Sequence, residues 1–339
     1  MNTPVARRVL SAAAAAALGL SLTACSALST ESSEPSGSDA PKDASGTLSV
    51  AVSFYPIQYL AETIGGDHVS VTSLTPTNVE PHDYDLSGKE VISTLEGSSL
   101  VAYVAGFQPS LDKAVAQISG PTVVDLSGEV DLQHHEGVED EDEHGEASDG
   151  TTEKATGEAG HEGHDHDAGS LDPHFWLDPV RMKSAATAVE EALAAADPDN
   201  ADDYKANLDS LTTTLDGLDS SYKGGLTRCE RKTFITSHAA FGYLADRYGL
   251  TQVSISGIDP ETEPSAADIA AAKKAVEDTG STTIFTEELV SPETAEAVAS
   301  ETGATTAVLS PIESAPEDAD YAGAMSANLD ALRTALACK

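Results

Sequence analysis

Hydrophobic and polar positions divide most of the chain into two kinds of segment. Short apolar runs rich in β-branched residues predict buried strands, and longer amphipathic segments between them predict helices. Strands that alternate with helices are typical of parallel sheets covered on both faces. We therefore predict an α/β protein with two domains, each containing a four-stranded, mostly parallel sheet flanked by helices. The eight predicted strands are 48–54, 68–74, 100–104, 122–125, 233–237, 252–256, 282–286 and 305–309.

Two helical segments separate the two groups of strands. The first follows Asp178, with Pro179 at its first position, and it ends where Asp197-Pro198-Asp199 interrupts the pattern. The second continues as one long amphipathic stretch. We expect an N-terminal domain over 47–196, a long rigid connecting helix over 197–224 and a C-terminal domain over 225–339.

The start of the chain has a different composition. Residues 1–24 have the pattern of a secretory signal, with Arg7 and Arg8 ahead of an apolar stretch. The stretch ends Leu-Thr-Ala-Cys, which is similar to a bacterial lipobox and predicts a lipid on Cys25; the alternative is a chance cysteine near an ordinary cleavage site. The segment 25–46 contains almost no large apolar residue after Cys25, so we expect a flexible tether. This pattern predicts a protein anchored by lipid to the outer face of the cytoplasmic membrane.

A histidine- and acid-rich segment, 131–169, interrupts the first group of strands. It contains fourteen acidic residues and no hydrophobic periodicity, so we predict a disordered loop. Its imidazoles would bind divalent ions weakly, because flexible ligands must be ordered on binding. The alternative is a solvated insert without function. The six histidines are His134, His135, His144, His161, His164 and His166.

Charge and cysteine content narrow the function further. The chain contains 57 acidic and 18 basic residues, which give a formal net charge of −39. This charge argues against binding to nucleic acid or to anionic membrane surfaces and fits the capture of cations. In an exported chain the remaining pair, Cys229 and Cys338, predicts one disulfide.

Four side chains occupy positions typical of a metal site. His238 directly follows the strand 233–237, and Glu287 directly follows 282–286. His82 lies in the loop after 68–74, and His174 lies at the end of the acidic segment. Ligands of open parallel sheets bind beyond the carboxyl ends of strands, so we expect these residues to meet in the cleft between the domains. Three imidazoles and one carboxylate form a four-coordinate shell that suits Zn²⁺. Glu80 is an alternative fourth ligand.

Six stretches of the chain have a recognisable pattern: EPHDY (80–84), DPHFWLDP (172–179), SHAAFGYL (237–244), QVSISG (252–257), EPS (263–265) and FTE (285–287). Together they resemble one family, the solute-binding lipoproteins of zinc-uptake ABC transporters (ZnuA-like, cluster A-I). The resemblance covers about 48–336. It implies two α/β domains joined by a rigid helix, a metal held between them by His82, His174 and His238, and a carboxylate such as Glu287 in some members. It also implies a monomer that delivers Zn²⁺ to a membrane permease and is not an enzyme.

Other readings remain open at this point. Relatives that bind manganese resemble this sequence but carry a carboxylate where His238 stands, so manganese or iron is the alternative cargo. A zinc hydrolase would need an open coordination position, and neither a His-Glu-x-x-His nor a Gly-x-Ser-x-Gly motif is present. A surface adhesin in which the metal only stabilises the fold is the third alternative.

Overall fold

The computed structural model describes residues 46–135 and 171–339, all of which belong to one compact unit. The predicted signal segment, Cys25 and the tether up to residue 45 lie outside the described residues. So do residues 136–170, which contain most of the acidic segment with His144, His161, His164 and His166. Among the described residues, no helix combines the length and the apolar character needed to cross a bilayer.

The N-terminal half (46–135 and 171–200) contains a four-stranded parallel sheet. Its strand order is β2-β1-β3-β4, and helices connect successive strands. The carboxyl ends of all four strands therefore face the same edge. The elements are β1 (Leu48–Val52), α1 (Tyr55–Gly65), β2 (Val69–Ser73), α2 (Lys89–Gly97), β3 (Leu100–Tyr103), α3 (Pro109–Val115) and β4 (Thr122–Asp125).

Two consecutive helices follow, α4 (Pro179–Ala196) and α5 (Ala201–Gly225). A short 3₁₀ turn, Pro198–Asn200, separates them, so the connecting helix begins four residues later than predicted. Asp197 explains the break, because its carboxylate accepts hydrogen bonds from Asn200 Nδ2 and from Tyr204 Oη. The buried side chains of α5 recur every three or four residues, which gives the helix one apolar face. This face packs against α1 and α4 and also against the last helix of the chain.

The C-terminal half (226–339) repeats the same topology. Its parallel sheet has the order β6-β5-β7-β8. The predicted α/β class with two four-stranded sheets and a long connecting helix is confirmed, while the exact domain limits stay a prediction. The elements are β5 (Thr233–Thr236), α6 (Gly242–Tyr248), β6 (Thr251–Ser254), α7 (Ala266–Thr279), β7 (Thr283–Thr286), α8 (Glu293–Thr302), β8 (Thr305–Val308) and α9 (Tyr321–Ala335).

One continuous hydrophobic cluster joins the two halves. It contains Phe54 and Trp176 from the N-terminal half and Phe241 and Tyr321 from the C-terminal half, all fully buried. A separate smaller cluster covers the second face of each sheet. Cys229 and Cys338 form the predicted disulfide, which ties the segment before β5 to the end of the chain.

Candidate metal centre

His238 and Glu287 lie at the carboxyl ends of the neighbouring strands β5 and β7. Thr236 pairs with Phe285 in the sheet register, so the residues two positions further on, His238 and Glu287, stand side by side. Glu287 Oε2 lies 2.7 Å from Nδ1 of His238, and Glu287 Oε1 accepts hydrogen bonds from the His238 backbone N–H and from Ser237 Oγ. A carboxylate can only accept, so Nδ1 carries a hydrogen, and Nε2 lies on the side of the ring away from Glu287.

His174 is oriented in the same way by a different carboxylate. It precedes a short 3₁₀ helix, Phe175–Leu177, just ahead of α4. Asp172 Oδ1 accepts hydrogen bonds from the backbone N–H of His174 (2.9 Å) and from its Nδ1 (2.7 Å). The other oxygen of Asp172 binds His135 Nδ1 at 2.7 Å. Both oxygens of this fully buried carboxylate are therefore held, and the ring of His174 has a fixed orientation.

His82 comes from the loop after β2 and is held through its backbone. The Glu80 carboxylate accepts a hydrogen bond from the His82 N–H at 3.0 Å, and Gln108 Nε2 donates to the carbonyl of Pro81 at 2.8 Å. The His82 ring lies edge-on to Phe107, with 4.5 Å between the ring centroids. Burial raises the pKa of Glu80 to about 7. Glu80, the alternative fourth ligand, thus braces the backbone of this loop.

Glu313 completes the group. It lies in the loop between β8 and α9, and its side chain is buried. Its Oε1 is 3.2 Å from Nε2 of His174, 3.4 Å from Nε2 of His82 and 3.8 Å from Nε2 of His238. The residue before it, Ile312, has a left-handed backbone with φ of +58°, a conformation that β-branched residues rarely adopt.

The four ligand atoms have the spacing of a metal shell. One atom from each of His82, His174, His238 and Glu313 lies within 4.8 Å of every other. The two imidazole nitrogens of His174 and His238 are 3.4 Å apart. Ligands at about 2.0–2.1 Å from a tetrahedral zinc ion are about 3.3–3.4 Å from one another. The closest separations in the group, 3.2–3.4 Å, match this value.

The electrostatics of the group depend on these carboxylates. Burial alone would lower the pKa of His174, but Asp172 and Glu313 raise it to about 9. Burial opposes ionisation of His238 as well, and Glu287 outweighs it and raises the pKa. The pKa of His82 is lowered, because burial outweighs its single carboxylate neighbour. The pKa of Glu313 is held well below its usual range in spite of burial, since His174 and His82 stabilise the anion. A cation that displaces the imidazole protons therefore meets an ionised carboxylate.

The structure differs from the sequence prediction in the carboxylate. Glu287 was expected as the fourth ligand, but it contacts the far nitrogen of His238, because the register of β5 and β7 places the two residues side by side. Glu313 occupies the place beside the three Nε2 atoms. No motif pointed to Glu313. Its one sequence signal was its position shortly after the last predicted strand, at the same sheet edge.

Two histidines of the acidic segment lie among the described residues. His134 is exposed. His135 contacts Asp172 through Nδ1 and Asp246 through Nε2, at 2.7 and 3.1 Å. Although burial lowers the pKa of His135, these two carboxylates raise it overall. His135 is therefore fixed against the protein by two ion pairs, unlike the freely moving loop ligand that was predicted.

Cavities approach the group from the C-terminal half. One of about 820 Å³ reaches Glu287 and Glu313, and its wall also carries Glu288, Glu317 and Asp318. Another of about 430 Å³ reaches His238. Three imidazoles and one ionised carboxylate, enclosed where two α/β halves meet, define a candidate metal-binding protein.

Comparisons with known proteins agree with this class. The family model described as "Zinc-uptake complex component A periplasmic" matches residues 50–335. The high-affinity zinc uptake system protein ZnuA of Bacillus subtilis is 34% identical over 332 residues, which cover 96% of both chains. The zinc-binding protein AdcA of Streptococcus pyogenes is 34% identical over 304 residues; the match covers 86% of this chain but only 56% of that protein, so the chain spans about half the length of AdcA.

A solved structure gives the same result. The Zn(II)-bound ZnuA-like domain of Streptococcus pneumoniae AdcA superposes with a TM-score of 0.67 at 28% identity, covering 86% of this chain and 99% of that one. The chain belongs to the family of zinc-uptake complex component A. This is the family that the sequence motifs resemble.

Proposed function

We propose that this protein captures Zn²⁺ between its two halves and delivers it to the permease of an ABC transporter. His82, His174 and His238 would bind the ion through Nε2, and Glu313 would bind it through a carboxylate oxygen. The observation that carries this proposal is the spacing of the four ligand atoms, all within 4.8 Å of one another. The names of the relatives, which include zinc-uptake and zinc-binding proteins, support it.

Two further carboxylates would prepare the ligands. Asp172 accepts the Nδ1 hydrogen of His174, and Glu287 Oε2 forms an ion pair with Nδ1 of His238 at 2.7 Å, which keeps both Nε2 atoms directed at the same point. Such carboxylate–imidazole pairs raise the basicity of the coordinating nitrogen and fix the orientation of the ring. Binding would require no rearrangement of these two imidazoles, only the loss of their Nε2 protons.

The ligand set favours zinc over the alternative cargo. Imidazole nitrogen suits Zn²⁺, whereas Mn²⁺ sites contain more oxygen ligands. With three nitrogens and one carboxylate, the group has one charged oxygen ligand. Manganese or iron therefore remains the second candidate, and competition between the metals distinguishes the two.

The chain would act outside the cytoplasm. The family is described as periplasmic, which supports an extracytoplasmic location. The predicted signal segment and lipobox would place a monomer on the outer face of the cytoplasmic membrane, anchored by a lipid on Cys25 and separated from the membrane by the tether up to residue 46. The histidine-rich segment would supply a weaker capture site.

Metal content tests the proposal. Native mass spectrometry of the purified protein, loaded with Zn²⁺ and dialysed against a weak chelator, is expected to find one tightly held zinc ion. His238→Ala should lose it. His68→Ala is the matched control, because His68 pairs with Asp203 on the surface and takes no part in the group. Retention of zinc by His238→Ala, or preferential retention of manganese by the unmodified protein, would overturn the proposal.

A further inference from the structure

Two hydrogen bonds from the opposite half of the molecule hold the backbone around Glu313. The Asn78 backbone N–H donates to Ser314 Oγ at 2.7 Å, on the C-terminal side of Glu313, and a tryptophan side chain bonds the N-terminal side. Trp176 lies in the N-terminal half, two residues after His174, and its indole Nε1–H donates to the carbonyl of Pro311 at 2.7 Å. Pro311 lies two residues before Glu313 in the C-terminal half. The bond therefore links the segment of one proposed ligand to the segment of another.

The packing of the Trp176 ring and the hydrogen bond of its N–H are separate interactions. The ring is fully buried against Phe54, Phe107 and the ligand His174, with ring centroids 4.9, 5.6 and 5.1 Å away, and these contacts involve its faces and edges. Within the part of the chain that the structure describes, the indole Nε1–H donates its hydrogen bond to the carbonyl of Pro311. An indole nitrogen buried without an acceptor would be unfavourable, so the carbonyl of Pro311 is held in place.

The conformation of Ile312 makes this restraint consequential. Its backbone is left-handed, with φ of +58°, and a β-branched residue adopts this conformation only when its surroundings impose it. The turn at Ile312 directs the following residue, Glu313, to the three Nε2 atoms. Contacts within the C-terminal half hold the loop before this point, since Asn328 bonds both the N–H and the carbonyl of Ser310. Trp176 holds the next carbonyl along the chain.

We propose that Trp176 is a positioning residue, whose indole N–H holds the Pro311 carbonyl so that the Glu313 carboxylate stays aligned with the three imidazoles. This inference rests on the proposed zinc capture. It assigns to the only tryptophan of the chain a role in zinc affinity that it performs through Glu313 and without contacting the ion.

Four proteins test the assignment: the unmodified chain, Trp176→Phe, Glu313→Gln and the double variant. The readout is the dissociation constant for Zn²⁺ from competition with a chromophoric chelator, together with the release rate into excess chelator. Trp176→Phe is expected to weaken binding about three- to tenfold, the range that one buried hydrogen bond contributes. In the Glu313→Gln background the same substitution should change affinity less than twofold, because its effect passes through Glu313.

A second replacement separates the hydrogen bond from ring size. Because the chain contains one tryptophan, biosynthetic incorporation of β-(3-benzothienyl)alanine exchanges the N–H of Trp176 for sulfur and keeps the ring system. It should weaken zinc binding as Trp176→Phe does. Tyr222→Phe is the control, since Tyr222 also donates from a buried ring to a backbone carbonyl, that of Met325, away from the metal group; its zinc affinity should stay within twofold.

Three results would overturn the inference. The first is unchanged affinity after the sulfur replacement. The second is an equal loss on Trp176→Phe with and without Glu313, which would indicate general loosening of the core. The third is a loss in Tyr222→Phe of the same size. If the unmodified chain holds no zinc, the proposed function itself fails, and this inference fails with it.

Discussion

Replacing Glu313 and Glu287 separately by glutamine separates the ligand from the positioning carboxylate. Both side chains are buried and both contact a histidine of the group, but Glu313 Oε1 faces three Nε2 atoms whereas Glu287 Oε2 faces Nδ1 of His238. Glutamine keeps the size of each side chain and removes its charge. The account requires Glu313→Gln to weaken zinc binding much more than Glu287→Gln.

The distances set the expected magnitudes. A carboxylate bound directly to Zn²⁺ at about 2 Å contributes about 4 kcal/mol even with the dielectric constant of water, or about a thousandfold in affinity. Glu287 would be separated from the ion by the imidazole ring and lie about 6.5 Å away, where the same calculation gives about 1.3 kcal/mol, or about tenfold. The second value lies at the lower end of the 10–100-fold range typical of carboxylates that support a ligand.

Competition with chelators of graded affinity measures both constants, and circular dichroism of the metal-free proteins checks that both variants fold. Glu313→Gln should lose about a hundredfold more affinity than Glu287→Gln. An equal loss in the two variants, or a larger loss in Glu287→Gln, would refute the assignment of Glu313 to the metal. Glu288→Gln, at the wall of the same cavity, is the control and should stay close to the unmodified protein.

Three other predictions follow from the structure. Raising the pH from 7 to 9 should strengthen zinc binding by up to about tenfold per pH unit, because Zn²⁺ displaces a proton from His174, whose pKa is raised to about 9. The metal-free protein should lose stability over the same pH interval, since the folded state holds that proton more tightly than the unfolded chain does. A zinc affinity that is flat between pH 7 and 9 would contradict this prediction. Replacing 138–168 by a short Gly-Ser linker should remove weakly bound zinc in a titration and leave the tight constant unchanged; an unaltered total stoichiometry would exclude a capture role. Reducing the Cys229–Cys338 disulfide should lower the free energy of unfolding by about 2–5 kcal/mol. Zinc affinity should change less than twofold, because the disulfide lies before β5 whereas His238 follows that strand. A large loss of zinc affinity would show that the disulfide and the metal group are coupled.

The fold could be predicted from the pattern of hydrophobic and polar residues because the signals for strands and helices are local. Alternating strands and helices, Pro179 after Asp178 and the glycines after helices each depend on a few neighbouring residues. The least accurate limit was the start of the connecting helix, predicted at residue 197 and found at Ala201, because a 3₁₀ turn follows Asp197. The strand limit next to His238 was closer, since the strand predicted for 233–237 ends at Thr236.

The candidate site was predictable only in part. The histidines could be chosen because each stands at the end of a strand or in a motif, and the structure brings His82, His174 and His238 together. The choice between Glu287 and Glu313 depends on the register of β5 and β7 and on the left-handed turn at Ile312. Neither feature can be read from residue types, because register and turn geometry arise only when distant segments pack. Trp176 was expected to pack, and its bond to Pro311 depends on the same long-range arrangement.

Diffraction from crystals of the zinc-loaded protein, recorded on both sides of the zinc absorption edge, is the most direct test of the proposed metal centre. The anomalous difference map should contain one strong peak in the described part of the chain, within about 2.0–2.2 Å of Nε2 of His82, His174 and His238 and of a Glu313 oxygen. A zinc peak coordinated by Glu287, or one lying away from the three imidazoles, would contradict it.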